Sequence, residues 1–256
     1  MWARLNDNDT IAQLYPRPVG ITLNGVQYPA SIFSLWSTVE LKGLKIWSVS
    51  MTNSADNSKW NTNGGVNYAV TKNGDTVTGV TGTHSSTEKP LYDVFTIPVA
   101  SSDGFSSGEK VASSANYSSA GKKGNIISKD SGVLDVEMVK GAFSNGNTIR
   151  AIISDGSAAV SPAVSTSASG DPILKSRGMQ WTVIQEVKDI QSSKLTQHDW
   201  YYIRKYDKGT AVPSAVQTYR DAVRAKATDL ETAISATTSI SALSAIDTGA
   251  GWPSEI

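Results

Sequence analysis

The chain contains no cysteine, only two histidines and no net charge. The absence of cysteine excludes disulfides, thiolate zinc sites and thiol catalysis. His84 and His198 lie far apart in the sequence and show no metal-ligand spacing, so we predict neither a metal site nor a cofactor. The balance of 23 basic and 23 acidic residues argues against a nucleic-acid-binding protein, which usually shows a basic excess.

Long apolar runs are also absent. No segment approaches the roughly 20 apolar residues of a membrane-spanning helix, and residues 1–9 lack the apolar core of a secretory signal. We therefore expect a protein that is neither membrane-bound nor secreted.

Catalytic motifs are missing in the same way. The chain has no Walker-type loop, no G-x-G-x-x-G and no G-x-S-x-G. Ser119 and Lys122 match Ser-x-x-Lys, but the companion motifs of that nucleophile family do not occur, and we interpret the match as coincidental. Asp7 and Asp9 could offer oxygen ligands to a hard cation, yet no glycine-bearing loop or distal Glu completes such a site. The sequence predicts a protein that is not an enzyme.

The sequence is rich in serine, threonine, asparagine and glycine, which is typical of β structure with many turns. Asn24-Gly25 and Asn73-Gly74-Asp75 each lie between alternating apolar residues and predict two hairpins. Residues 46–51 alternate with period two and predict a strand, while Ser37 and Glu40 form a capping-box pattern that opens a short helix. Residues 1–102 are therefore predicted to be a β-rich module with short helices.

The centre of the chain contains an internal echo. Residues 104–111 and 141–149 share Phe-Ser-x-Gly followed by Val or Ile, with Phe105 matching Phe143 and Gly108 matching Gly146. The echoed phenylalanines are expected in a core, and residues 103–156 are predicted to form a small β-barrel or sandwich of about five short strands.

Residues 157–170 carry no charge and no large side chain, a composition typical of a linker. Asp171-Pro172 is interpreted as a helix-entry signal for the last segment, residues 171–256.

An antiparallel helical hairpin is predicted over residues 171–256. Its first helix covers Met179–Leu195, its second begins at Pro213, and a short loop through Lys208-Gly209 joins them. A third short helix is predicted over residues 240–246. The second helix is expected to bury one face, formed by Val216, Tyr219, Val223, Leu230 and Ile234. The opposite face is expected to be exposed and carries Arg220, Asp221, Arg224 and Asp229. The predicted fold class is α+β.

Four aromatic residues fall between positions 200 and 206 and cannot all lie on one helix face. We favour packing within the hairpin or against a neighbouring subunit over stacking on sugars or bases. The candidate interface consists of Trp200, Tyr201, Tyr202, Arg204, Tyr206, Arg220 and Arg224.

Two stretches resemble a family of tailed-bacteriophage virion proteins. The N-terminal segment of that family, with its Asn-Gly-Val-x-Tyr-Pro motif, resembles Asn24–Ser37 followed by Gly43–Ile46. Its C-terminal hairpin, which is similar to segments of tail-fibre assembly proteins, resembles Thr196–Arg204 together with Val212–Arg224. The resemblance implies a non-enzymatic structural component of a virion, assembled in the host cytoplasm. Its place would be the tail, the baseplate or the fibre attachment.

The implied partners are other virion structural proteins, with the chain present in several copies or as a homo-oligomer, and without nucleic-acid or membrane contacts. Two alternatives remain open, a tail-fibre assembly chaperone and a capsid decoration protein. Glycan binding by residues 104–150 and an enzyme of glycan hydrolysis are weaker alternatives. The β-rich stretch 52–170 is longer than a chaperone-type member needs, which favours a virion subunit.

Overall fold

The computed structural model describes residues 1–152 and 165–256. The chain divides into two compact units, Met1–Glu88 and Lys89–Ile256. The first unit contains, in chain order, β1 (Trp2–Leu5), β2 (Ile11–Tyr15), β3 (Ile21–Leu23), β4 (Val26–Tyr28), α1 (Ile32–Leu35), α2 (Thr38–Gly43), β5 (Ile46–Met51), β6 (Asn61–Asn73) and β7 (Thr76–Glu88). Five of these strands form one sheet in the order β2-β1-β5-β7-β6, and β3 pairs with β4 in a separate hairpin.

The local signals of the first unit are confirmed. Asn24 and Gly25 both have positive φ, as the two-residue turn between β3 and β4 requires. Ser37 and Glu40 form the complete capping box at the start of α2. One face of the sheet packs on Tyr15, Ile21, Ile32, Phe33, Leu41 and Ile46, and the other buries Ala3, Leu5 and Val80.

The second unit contains a β-barrel followed by helices. Its elements are β8 (Val94–Pro98), β9 (Lys110–Ala112), β10 (Lys123–Asp130), β11 (Val133–Lys140), β12 (Thr148–Ile152), β13 (Ser165–Ser167), β14 (Ile173–Ser176), α3 (Met179–Thr196), α4 (Asp199–Lys208), α5 (Ser214–Ser235) and α6 (Ile240–Ser244). The seven strands follow the order β13-β12-β9-β10-β11-β8-β14. The backbone N–H groups of Ala100 and Ser169 donate to the carbonyls of Ser167 and Pro98, at 3.0 and 2.9 Å, and close the sheet into a barrel.

The internal echo is a structural duplication within this barrel. Phe105 and Phe143 are both only 1% exposed in the same core. Gly108 and Gly146 both have positive φ, and their N–H groups donate to neighbouring strands, at the carbonyls of Ile126 (2.7 Å) and Ala168 (2.8 Å). The echoed units supply β9 and β12, which pair antiparallel. The predicted core role of the two phenylalanines is therefore confirmed.

The predicted boundaries of the barrel differ from the structure. The division between units falls after Glu88 and not after residue 102, because β8 pairs with β11 inside the barrel. The barrel therefore extends beyond residues 103–156 and has seven strands, not about five.

The linker predicted over 157–170 is wrong where it can be examined. Residues 157–164 lie outside the described part of the chain, whereas Ser165–Ser167 forms β13 on the barrel. Thr166 is buried there, and its hydroxyl accepts a hydrogen bond from the Ser101 N–H at 3.1 Å. The small uncharged residues of this segment therefore belong to a strand and not to a linker. Asp171-Pro172 likewise leads into β14 and not into a helix.

The C-terminal helices form the predicted antiparallel pair. Gln180 at the start of α3 donates to the carbonyl of Ile234 at the end of α5 (3.1 Å), and Arg220 near the start of α5 donates to the carbonyl of Leu195 near the end of α3 (2.6 Å). The five residues predicted to face inward from α5 are all buried. A third helix, α4, occupies most of the connection and ends at Gly209, which has a left-handed φ of 69°. Within the described ranges, no helix is long and apolar enough to cross a membrane.

Candidate functional site

Helix α4 differs from its neighbours because none of its ten residues is buried. Trp200, Ile203 and Tyr206 are 48%, 68% and 90% exposed, respectively. Residues three positions apart lie on the same side of a helix, so these side chains form one apolar stripe. The structure thus presents large apolar groups to solvent at the position where the sequence placed its aromatic cluster.

A stack of rings and a guanidinium orders one side of this stripe. The Trp200 and Tyr201 ring centroids are 3.9 Å apart with an interplanar angle of 30°. The Arg204 guanidinium lies 4.8 Å from the Trp200 centroid and 5.4 Å from that of Tyr201. Cation–π contacts of this kind hold a long side chain against the ring faces. We refer to Trp200, Tyr201, Ile203, Arg204 and Tyr206 as the aromatic surface.

A buried arginine ties α4 to the rest of the hairpin. The Arg220 side chain is 9% exposed, and its Nη1 donates to Asp199 Oδ1 at 2.7 Å and to the Leu195 carbonyl at 2.6 Å. The same guanidinium lies 4.8 Å from the centroid of the Tyr202 ring. Arg220 therefore joins the end of α3, the start of α4 and the body of α5.

His198 adds an aromatic contact to this junction. It precedes α4, is buried, and its ring lies 5.0 Å from the Tyr219 ring and 6.2 Å from the Tyr201 ring. Burial raises the pKa of the Tyr219 hydroxyl, and the negative charge of Glu255 raises it further. The junction is thus an aromatic environment in which Arg220 pairs with the Asp199 carboxylate.

The predicted interface set divides into two groups and one outlier. Trp200, Tyr201, Arg204 and Tyr206 lie on the aromatic surface, whereas Tyr202 and Arg220 contact each other inside the hairpin. The expectation that Arg220 faces solvent is wrong, since position 220 adjoins the buried face of α5 and meets the acceptors of Asp199 and Leu195 there. Arg224 is exposed and pairs with Asp221 at 3.0 Å.

Two relevant residues were not among the predicted site residues. Ile203 is the second most exposed large apolar side chain of α4, and its three-residue spacing from Trp200 was visible in the sequence. Asp199 appears in the same motif as Arg220, but the sequence alone does not reveal that the two side chains meet.

Elsewhere, two carboxylates near the start of the chain form ion pairs. Asp7 and Asp9, considered as cation ligands, contact the Lys45 and Lys72 ammonium groups at 2.8 and 2.9 Å. In residues 1–152 and 165–256, no group of three or more His, Asp or Glu side chains is placed to hold a metal ion. Comparison with family models, curated proteins and solved structures found no match to this chain.

Proposed function

We propose that this protein is a non-enzymatic structural component of a tailed-bacteriophage virion, in the tail, the baseplate or the fibre attachment. In this proposal the aromatic surface contacts a neighbouring virion subunit. The observation that supports the contact is the exposure of Trp200, Ile203 and Tyr206 on a helix with no buried residue. The virion assignment rests on the resemblance of the 24–46 and 196–224 stretches to a phage family.

The composition of the aromatic surface suits a protein interface. Tryptophan, tyrosine and arginine are the residue types most enriched among the side chains that dominate binding energy. The stacking of Arg204 on Trp200 restricts both side chains before binding, and Arg220 fixes α4 itself. Groups that are already ordered lose less conformational entropy when a partner covers them.

The size of this surface supports the proposal of a multi-copy assembly. Burying three large apolar side chains contributes about 5 kcal/mol, since each gives about 1.5–3 kcal/mol when fully covered and Trp200 is already half-buried. That amount barely offsets the entropy lost on association, which is at least about 4 kcal/mol. A subunit held at several symmetry-related contacts gains the remainder through effective concentration.

A fibre-assembly chaperone would use the same surface transiently, and a capsid decoration protein would use it on the capsid lattice. The three roles differ in where the protein is found after assembly. A chaperone accompanies fibre subunits in the lysate and is lost from mature particles, whereas a decoration protein follows the copy number of the capsid lattice.

The test is quantitative mass spectrometry of purified particles and of infected-cell lysate from a phage that encodes this chain. We expect the protein in the particles, at a copy number that follows the symmetry of the tail. Its absence from particles, with presence in the lysate, would refute the structural role, and co-purification with fibre subunits in that lysate would support the chaperone instead.

A further inference from the structure

Four cationic residues lie on the outer face of the barrel, on four neighbouring strands. Lys123 of β10 is directly opposite Lys140 of β11 on one side and Ala112 of β9 on the other. Ala112 is in turn opposite Arg150 of β12. Lys110 precedes Ala112 by two positions on the same strand and therefore lies on the same face. We refer to Lys110, Lys123, Lys140 and Arg150 as the basic cluster.

The outward direction of the basic cluster follows from strand alternation. The adjoining row of residues packs in the barrel core through Ala151, Val111 and Met138. Successive side chains of a strand point to opposite faces, so the cluster points away from that core. A β-bulge in β11 adds one residue after Met138 and brings Lys140, instead of Val139, opposite Lys123.

The basic cluster has a local excess of positive charge. Lys123 and Lys140 are directly opposite, an arrangement in which like charges are destabilising. Among the residues that the structure describes, neither lysine forms an ion pair. The carboxylate of Glu137, further along β11 on the same face, is engaged by the backbone N–H groups of Leu91 and Tyr92 at 2.7 and 3.1 Å. An anion from outside the chain would relieve this repulsion.

Tyr117 orders two of the cations. The Nζ atoms of Lys123 and Lys110 lie 4.8 and 5.2 Å from the centroid of its ring, so the two ammonium groups are within about 10 Å of each other. The Nζ atom of Lys123 also donates to the Ser118 carbonyl at 3.4 Å. Side chains that are already restricted lose less conformational entropy when an anion binds.

The dimensions of the basic cluster indicate a ligand with several negative charges. Four neighbouring strands span about 14 Å at the usual strand spacing, which is more than one carboxylate or phosphate group can bridge. A short segment that carries several anionic groups can contact the four cations together.

The chemistry of the surroundings favours carboxylates over nucleic acid. The chain has no net charge, whereas a nucleic-acid-binding protein usually has a basic excess. The Tyr117 ring already contacts two ammonium groups, and the basic cluster itself contains no aromatic residue on which a base would stack. We propose that the basic cluster binds an acidic segment of a protein partner through its carboxylates. This contact is separate from the aromatic surface, which lies on α4.

The test is fluorescence anisotropy of a labelled, blocked Glu-Ser-Glu-Ser-Glu peptide titrated with the full chain at low ionic strength. We expect saturable binding that weakens as salt is added, because exposed ion pairs are screened. The neutral Gln-Ser-Gln-Ser-Gln peptide should not bind, and a short oligothymidylate of equal charge should bind more weakly. The measurement needs no particles, so its outcome is independent of the proposed virion role.

Matched variants connect the binding to the basic cluster. Lys123→Gln/Lys140→Gln should weaken peptide binding about fivefold or more, since two exposed ion pairs are lost. Lys129→Gln, at an exposed lysine about 20 Å further along β10, should leave the binding unchanged. Without peptide, Lys140→Gln should not lower the thermal midpoint, because it removes a like-charge contact.

Four outcomes would overturn the proposal: no saturable binding by the parent, equal binding of the neutral peptide, tighter binding of the oligothymidylate, and undiminished binding by Lys123→Gln/Lys140→Gln.

Discussion

Replacing Arg220 by methionine tests the junction that holds α4. The substitution keeps the apolar stem but removes the hydrogen bonds to Asp199 and to the Leu195 carbonyl. Hydrogen bonds that involve a charged group contribute about 1.5–3 kcal/mol each. Asp199 is half-exposed and water can replace part of its loss, so we expect the free energy of unfolding to fall by about 2–3 kcal/mol.

The control for this substitution is Arg224→Met in the same helix. Arg224 pairs with Asp221 across one turn, and both side chains are exposed, so the free energy of unfolding should fall by only about 0.3–0.5 kcal/mol. Urea denaturation at equal slopes gives the two values. Hydrogen exchange reports on α4 itself, which should lose protection in Arg220→Met only. Equal destabilisation by the two variants, or unchanged exchange in α4, would refute the assigned role of Arg220.

Three further predictions concern the barrel. Asp135 accepts hydrogen bonds from Lys175, Ser128 and Thr96; burial raises its pKa, but these bonds and the Lys175 charge outweigh burial and lower it below the ordinary 3.8. The stabilisation that Asp135 gives the fold is therefore present above pH 3.8 and is lost as the pH falls through the lowered pKa. Asp135→Asn should lower the free energy of unfolding by about 1–3 kcal/mol at neutral pH, and the difference from the parent should vanish in acid-denaturation curves. Phe143→Ala and Phe105→Ala should each lower the free energy of unfolding by about 3–5 kcal/mol in urea denaturation. A large difference between the two losses would contradict the equivalence of the two core positions. Gly124→Ala should prevent normal β10–β11 pairing, because its Cβ would lie 2.4 Å from the Glu137 carbonyl oxygen; native-like thermal unfolding would contradict this.

Local patterns predicted much of the fold because the forces behind them act over short stretches. The buried face of α5 follows from the helical period, and the β3–β4 turn follows from the tolerance of Asn24 and Gly25 for positive φ. The echo of Phe105 in Phe143 located the barrel core, since both side chains meet the same requirement in two copies of one unit.

Features that depend on contacts between distant segments could not be predicted from the sequence. The linker composition of residues 165–168 gave no sign that β12 and the chain after β8 would accept that segment as a strand. Arginine is usually a surface residue, and only the approach of Asp199 and Leu195 from other helices makes the burial of Arg220 favourable. For the same reason, the sequence placed Tyr202 and Arg220 on the interface, whereas the structure pairs them inside the hairpin.

The contact role of the aromatic surface is tested most directly by incorporation of Trp200→Ala into particles. Its matched control is Trp181→Ala, because Trp181 is similarly exposed (42% against 48%) but lies on α3. The copy number of each variant in purified particles is measured by mass spectrometry against its level in the lysate. We predict a strong loss of incorporation for Trp200→Ala, with Trp181→Ala near the parent level. Normal incorporation of Trp200→Ala, with normal folding, would contradict it.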